Sequence, residues 1–315
     1  MDAIHSVHLD ANESVMFARD LEVIKKKTYD TRFPELKATQ LIPISTDAGP
    51  AAESITFRSY TEIGIAKVIS AYADDLPRAD IKGTEHTYPV RSIGSSYGFS
   101  IQEIRGSQMM GKQLPQRKAN AARMMIEQKI NKIGWTGDTE AGLTGLINNT
   151  NVTRVAAPGD GSGSATTFIS KTPAQILRDL NALVNGIVEL TKGVEVPDTL
   201  LLPLAQYNYL SVTPYSTYSD KTIMQYFKET NLYIKNVISV LELKDAGVGV
   251  SPLAAGEDIA IAYKRDADKL TFELPVPFEQ FAPQERNLEQ VVNCHARSGG
   301  VIIYYPLSVA ILEGI

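Results

Sequence analysis

The stretch from Tyr88 to Asn149 limits what this chain can become more than any other part of it. Tyr88 to Ile104 alternates apolar and polar residues, the period of a half-buried strand. Pro115 then sits where proline suits the first turn of a helix. Ala119, Ala122, Met125/Ile126, Lys129/Ile130 and Ile133 recur at three- and four-residue steps, and Gly134 is the expected stop. At 1.5 Å per residue this rod is roughly 30 Å long. A glycine-punctuated turn, Gly142-Leu-Thr-Gly-Leu-Ile-Asn148, closes the stretch. Strand, rod and turn bring no set of reactive side chains together; they describe a building block.

The preceding segment points the same way. Ile55–Ile63 alternates as a second strand, and between the two strands Gly64–Thr87 is a long polar excursion carrying Asp74, Asp75, Arg78, Asp80 and Lys82. Two strands around a long polar tip predict a protruding hairpin, larger than loops inside a monomeric domain usually are. Further upstream the pattern predicts a helix at Glu13–Lys26 and an extended, proline-interrupted arm over Thr28–Pro50.

Beyond the flexible loop Gly159–Ser164 comes the best-marked helix. Thr172, Pro173 and Gln175 supply an N-cap, a proline at the first helical position and a capping-box partner. Ile176, Leu177, Leu180, Leu183, Val184, Ile187 and Val188 form a broad apolar stripe that ends at Gly193. Pro197–Pro203 reads as a fully apolar strand, Leu204–Leu210 as a helix, and Thr222–Glu229 as a helix capped by Asp220. Val237–Leu243 and Asp258–Tyr263 are strands, and Lys269–Ile315 is almost all strand. The expected class is α+β.

With 315 residues and one cysteine, Cys294, the chain has ample length for a core and no internal disulfide, which suits a reducing compartment. A net charge of −5 argues against a dedicated nucleic-acid binder. No run of about 18 apolar residues would span a bilayer, and no secretory signal is expected. Candidate chemistry fails on spacing. His5, His8 and Asp10 could clip a metal but read as a solvated tail; Cys294 and His295 are adjacent on a strand and face opposite sides. The Gly159 loop lacks the Lys-Ser/Thr of a phosphate cradle, and Asp266 and Asp268 are only half a calcium loop. No catalytic residue, cofactor or metal is expected, and an enzyme would need a pocket of converging polar groups that the sequence does not offer. Tyr207, Tyr209, Tyr215, Tyr218, Tyr226, Phe227 and Tyr233 form an aromatic cluster that fits either a tyrosine-lined core or an inter-subunit surface, Tyr215 and Tyr218 being loop-like and better suited to contact.

In order and spacing, these elements resemble the tailed-phage major capsid proteins with the Hong Kong 97-type fold, shared with the encapsulin nanocompartments. The most specific pieces are Trp135–Asn148 and Val196–Pro203, and the resemblance covers nearly the whole chain. It implies an N-terminal arm at 1–52 and an extended loop at 53–105 lying over a neighbouring subunit. It further implies a peripheral domain at 106–194 and 271–315 around the spine helix, an axial domain at 195–270, and the helix 172–192 near their junction. The implied function is a subunit that self-assembles as hexamers and pentamers into an icosahedral head; the alternative is an encapsulin-type compartment. Implied partners are scaffolding and portal proteins, a decoration protein, and packaged double-stranded DNA held non-specifically, with no membrane. Scaffolding is expected as a separate chain or not at all, and the implied location is the virion capsid, assembled in the host cytoplasm. Inter-subunit contact candidates are Arg78, Asp80, Lys82, Tyr215 and Tyr218. Some members of the family join neighbours by a Lys–Asn isopeptide bond; Lys82, Asn287 and Asn293 are the residues to weigh against an ordinary surface role.

Overall fold

The computed structural model describes residues 33–68, 77–111, 114–218, 220–249 and 256–315; the helix expected at Glu13–Lys26 and the histidines His5 and His8 lie outside the described residues. Leu36–Ile315 forms one unit. Its first elements correct the sequence reading. Instead of continuing as an extended arm, the chain makes a one-turn helix, α1 (Ala38–Leu41), and a short strand, β1 (Ile44–Ser45). Ala38, Leu41 and Ile42 are buried. Asn131 Oδ1 accepts the Ala38 N–H at 2.9 Å, and the buried Tyr263 hydroxyl donates to the Leu41 carbonyl at 2.9 Å. Elements this short are too brief to show a period, and tertiary contacts hold them.

The hairpin is present and longer-stranded than expected. Strands β2 (Ser54–Ile63) and β3 (Asp80–Pro89) pair antiparallel from Ser54 opposite Pro89 to Ile63 opposite Asp80. Much of the supposed polar tip is therefore strand, and the tip proper begins at Gly64 and ends at Ala79. Strand β4 (Arg91–Ser100) follows, but the alternation read through Ile104 stops four residues early, where helix α2 (Ile101–Met110) begins. Ser100 is its N-cap: Ser100 Oγ accepts the Glu103 N–H at 3.1 Å, and Glu103 Oε2 accepts the Ser100 N–H at 3.2 Å. Ser-x-x-Glu was the local signal that outranked alternation.

Helix α3 (Leu114–Thr136) is the spine, about 34 Å long. Ala122, Ile126, Ile130 and Ile133 face the core. It passes through Gly134 and stops at Gly137, whose φ of 69° is left-handed. Gly134 is required for a different reason: a Cβ there would lie 2.8 Å from the Ala38 Cβ and 3.2 Å from Phe272 Cε1. The turn beyond is tied by reciprocal backbone bonds between Asp138 and Leu143, and by Val301 N–H donating to the Thr144 carbonyl at 2.7 Å.

After β5 (Thr153–Ala156), helix α4 (Pro173–Leu190) begins as its signals predict, with the Thr172 N–H donating to Gln175 Oε1 at 2.8 Å. Strand β6 (Thr199–Pro203) and helices α5 (Leu204–Val212) and α6 (Ile223–Thr230) follow. The cap of α6 is Thr222, paired with Gln225, rather than Asp220. Strands β7 (Asn236–Val240) and β8 (Ile259–Tyr263) precede a run of six: β9 (Leu270–Glu273), β10 (Val276–Gln280), β11 (Gln284–Arg286), β12 (Glu289–Ser298), β13 (Gly300–Ile303) and β14 (Val309–Glu313).

Three sheets organise the unit. One joins β1, β9 and β13; in another, β12 pairs with β4, β10 and β11, and α3 lies against β4 and β12. The central one runs β5-β14-β8-β6-β7. Its fully apolar strands are buried on both faces, as such runs demand. Leu201, Ile259, Ile261, Tyr263, Val309 and Ile311 face the core that contains α3. Leu200, Leu202, Ala260, Ala262, Ala310 and Leu312 face a second core built on α4, α5 and α6.

Candidate assembly surfaces

The β2–β3 ribbon is held at its foot and uncovered towards its end. Phe57 meets the Tyr304 ring edge-on at a 5.0 Å centroid separation and stacks on His86 at 4.9 Å. Arg58 pairs with Glu85 across the strands at 2.7 Å. Further out, Tyr60, Ile63 and Ile81 are 67%, 53% and 63% exposed, and Ile65 is 81% exposed. An isolated two-stranded ribbon is marginal in water, and apolar side chains on it call for a covering partner. Sequence reasoning missed these four. For Tyr60 and Ile63 the signal was present in the alternating run, which reads as half-burial without saying what buries it; Ile65 and Ile81 fall in the stretch read as a polar excursion.

The candidate contact residues fall on two separate elements. Arg78, Asp80 and Lys82 are exposed towards the outer end of the ribbon, with Asp80 Oδ1 accepting the Ile81 N–H at 2.8 Å and Lys82 opposite Thr61. Tyr215 and Tyr218 lie on the loop between α5 and α6. Tyr215 is half-buried, its ring stacked on Tyr226 at 4.3 Å, whereas Tyr218 is fully exposed. The aromatic cluster is thus divided: Tyr207, Tyr209, Tyr215, Tyr226 and Tyr233 pack against the second core, Phe227 is inside it, and Tyr218 projects. Of the residues weighed for a cross-link, Asn287 sits in a turn at φ 58° and Asn293 lies on β12 opposite Ser96.

Residues that could have carried chemistry are used structurally. Cys294 is buried and burial pushes its thiol pKa up, while His295 Nδ1 lies 2.7 Å from Glu279 Oε1. Asp266 Oδ1 accepts the Asp268 N–H within a local turn. The loop after Gly159 is pinned to α4 by a charge cluster. Lys171, fully buried, meets Asp179 at 2.5 Å; Arg178 reaches Asp160 and Asp179 at 2.6 Å each. Desolvation pushes Asp160 up, but the Arg178 hydrogen bond and the charges of Arg178 and Lys171 outweigh it and leave its pKa below the ordinary value. An apolar cleft of about 300 Å³ lies between α4 and β5–β14, lined by Val155, Leu183, Gly186 and Leu312 among others. Among the described residues no three His, Cys, Asp or Glu side chains gather as a metal site would need.

A foot-anchored ribbon, a spine helix and a doubly covered sheet are the parts of a viral shell subunit, and solved capsids share the whole arrangement. The capsid of Myoviridae phage XM1 matches over 96% of this chain and 100% of that chain, with a TM-score of 0.81 and 18% identity. The capsid of the empty GTA particle matches over 97% and 99%, with a TM-score of 0.64 and 9% identity. Mycobacterium phage Adephagia matches over 95% and 98%, with a TM-score of 0.60 and 11% identity. The fold is the Hong Kong 97-type capsid fold.

Residues 64–315 match the major capsid protein family, and the chain belongs to it. No protein of curated function matches the sequence. The family is one of structural proteins that build a virion shell from many copies of themselves, which favours the phage reading over the compartment alternative.

Proposed function

We propose that this chain forms hexamers and pentamers that close into the icosahedral head of a tailed phage, around double-stranded DNA contacted without sequence preference. The uncovered apolar end of the ribbon carries this reading: Tyr60, Ile63, Ile65 and Ile81 are the side chains a neighbouring copy would cover. Ribbon contacts between copies are heterologous, since the ribbon of one meets a different surface on the next, and such contacts generate rings. Arg78, Asp80 and Lys82 would set the register of that contact, and Tyr218 would meet a neighbour nearer the capsomer centre.

In this reading 1–52 is the arm, 53–105 the extended loop, 106–194 with 271–315 the peripheral domain, and 195–270 the axial domain. The central sheet would then bridge the two domains, with β5 and β14 from the peripheral domain and β6, β7 and β8 from the axial domain. Scaffolding and portal proteins, with a decoration protein, are the further partners, and assembly takes place in the host cytoplasm. The role is structural and non-enzymatic. Negative-stain electron microscopy of the recombinant protein tests it: hollow shells or capsomer rings are expected. Protein that stays monomeric with a crowding agent and with added scaffold would overturn the proposal.

A further inference from the structure

The apolar cleft between α4 and β5–β14 holds about 300 Å³, and Val155, Ala182, Gly186, Leu190, Leu307 and Leu312 are among the residues around it. Val155, Leu190 and Leu307 stay exposed. Gly186 is the odd member. It lies inside α4, where glycine weakens a helix relative to alanine. No left-handed turn requires it, and a Cβ there would meet nothing within 4 Å among the described residues. One turn earlier Ala182 is exposed as well, so the flank of α4 beside the cleft is low. The separation of packed helices is set by the side chains at their contact, and a low apolar flank admits a second helix closely.

The ribbon tip carries a matching occupant. Ile65, Val68, Ile69, Tyr72 and Leu76 recur at three- and four-residue steps, the spacing of one apolar face of a helix. Ile65 and Val68 are 81% and 100% exposed, so their own chain does not cover them. A helix from Ile65 to Leu76 would run about 17 Å, the same as α4 from Asp179 to Leu190. Charge sets the direction. Arg178, its side chain half open to solvent, stands at the end of the cleft away from Leu190, and Asp74 and Asp75 stand at the far end of the apolar spacing. We infer that the cleft receives the ribbon tip of a second copy, laid along α4 with Asp74 and Asp75 towards Arg178 and with Ile65 and Val68 towards Leu190. Gly186 is then the point of closest approach. Tip and cleft are different surfaces, so each copy gives one contact and receives one, as ring-forming interfaces do.

The inference rests on the shell-subunit reading, and the test separates the two. Gly186→Phe fills the cleft from a helical position that has room for the side chain. Isolated variant subunits should melt no lower than wild type, while their yield of shells falls at least tenfold. An unchanged yield would overturn the inference. A second measurement names the occupant. Subunits carrying Val68→Cys are mixed with ¹⁵N-labelled subunits carrying Leu190→Cys, assembled, treated with a short bis-maleimide and analysed by mass spectrometry; the one native cysteine, Cys294, is buried. Links between positions 68 and 190 in peptide pairs of mixed isotope are expected in shells. They should exceed at least tenfold those formed with Leu232→Cys, an exposed position outside the cleft lining. No link, or an equal yield at position 232, would overturn the inference even where Gly186→Phe blocks assembly, because the cleft would then take another occupant. Failure of the wild-type protein to form any shell would instead remove the reading beneath it.

Discussion

Replacing Lys171 with methionine should be among the most damaging single changes to the isolated subunit. Lys171 is fully buried, its ammonium is 2.5 Å from Asp179 Oδ2 and 3.6 Å from Asp160, and Asp179 itself is 1% exposed. Breaking a buried pair strands the remaining charge, which typically costs about 3–5 kcal/mol. Here Arg178 still reaches Asp179 Oδ1 at 2.6 Å, from a side chain half open to solvent. That places Lys171→Met near the lower end, about 3 kcal/mol. At about 2–4 °C per kcal/mol for a unit of this size, the midpoint should fall by about 6–12 °C. Adding Asp179→Leu removes the stranded carboxylate and leaves the Arg178–Asp160 pair in place. The double variant should therefore recover at least half of the loss. Calorimetry and denaturant unfolding of disassembled subunits give the cycle directly. A single-variant loss below about 1 kcal/mol, or a double variant no better than the single, would refute the claim that this pair pins the loop to α4.

Three further outcomes are expected. Replacing Tyr60–Gly83 by Asn-Gly joins Ser59 to Thr84, which face each other in the ribbon register, and keeps the anchored foot; the body should melt within about 2 °C of wild type while shells disappear from micrographs, and normal particles would defeat the assembly role of the ribbon. Gly137→Ala forces a left-handed position and sets a Cβ 2.4 Å from the Leu143 carbonyl oxygen, so it should destabilise by at least about 2 kcal/mol in denaturant unfolding; a loss under half of that would mean the turn relaxes freely. The Lys129 hydrogen bond, with backbone donors from Ala141 and Glu140, holds the Asp138 pKa below its ordinary 3.8 despite some desolvation. A carboxyl depressed in the fold contributes stability that is present above its unfolded pKa and lost as pH falls through its folded one. Lys129→Met should thus raise the Asp138 midpoint in an NMR titration and shrink that contribution; an unmoved midpoint would reject Lys129 as the cause.

The sequence was most readable where one signal acted alone. The α4 cap and stripe, the doubly buried β6 and the first ribbon strand, β2, follow from period and composition, because burial on one or two faces writes itself into spacing. It was least readable where a local rule competed with a longer pattern. At Ser100 a capping box ended an alternation that continued on paper; at Gly134 a glycine that looked like a helix stop was there to let Ala38 and Phe272 approach. The anchoring of Leu41 and Ile42 depends on Asn131 and Tyr263, far away in the chain, and no local window contains that information. The contact candidates were legible as exposed groups only.

The three inner strands of the central sheet are covered on both faces, and this bears on how a shell subunit carries load. Strands β6, β8 and β14 are bonded through alternate side chains to a layer on each side, so the body is a three-ply laminate. Plies that interlock cannot slip past one another, and a laminate without slip resists bending far better than the same plies stacked loose. Load on such a plate is shared between the backbone hydrogen-bond ladders of the sheet and the side-chain contacts on its two faces. Weakness in such a plate belongs at its rims, where β5 and β7 each have one edge unpaired among the described residues.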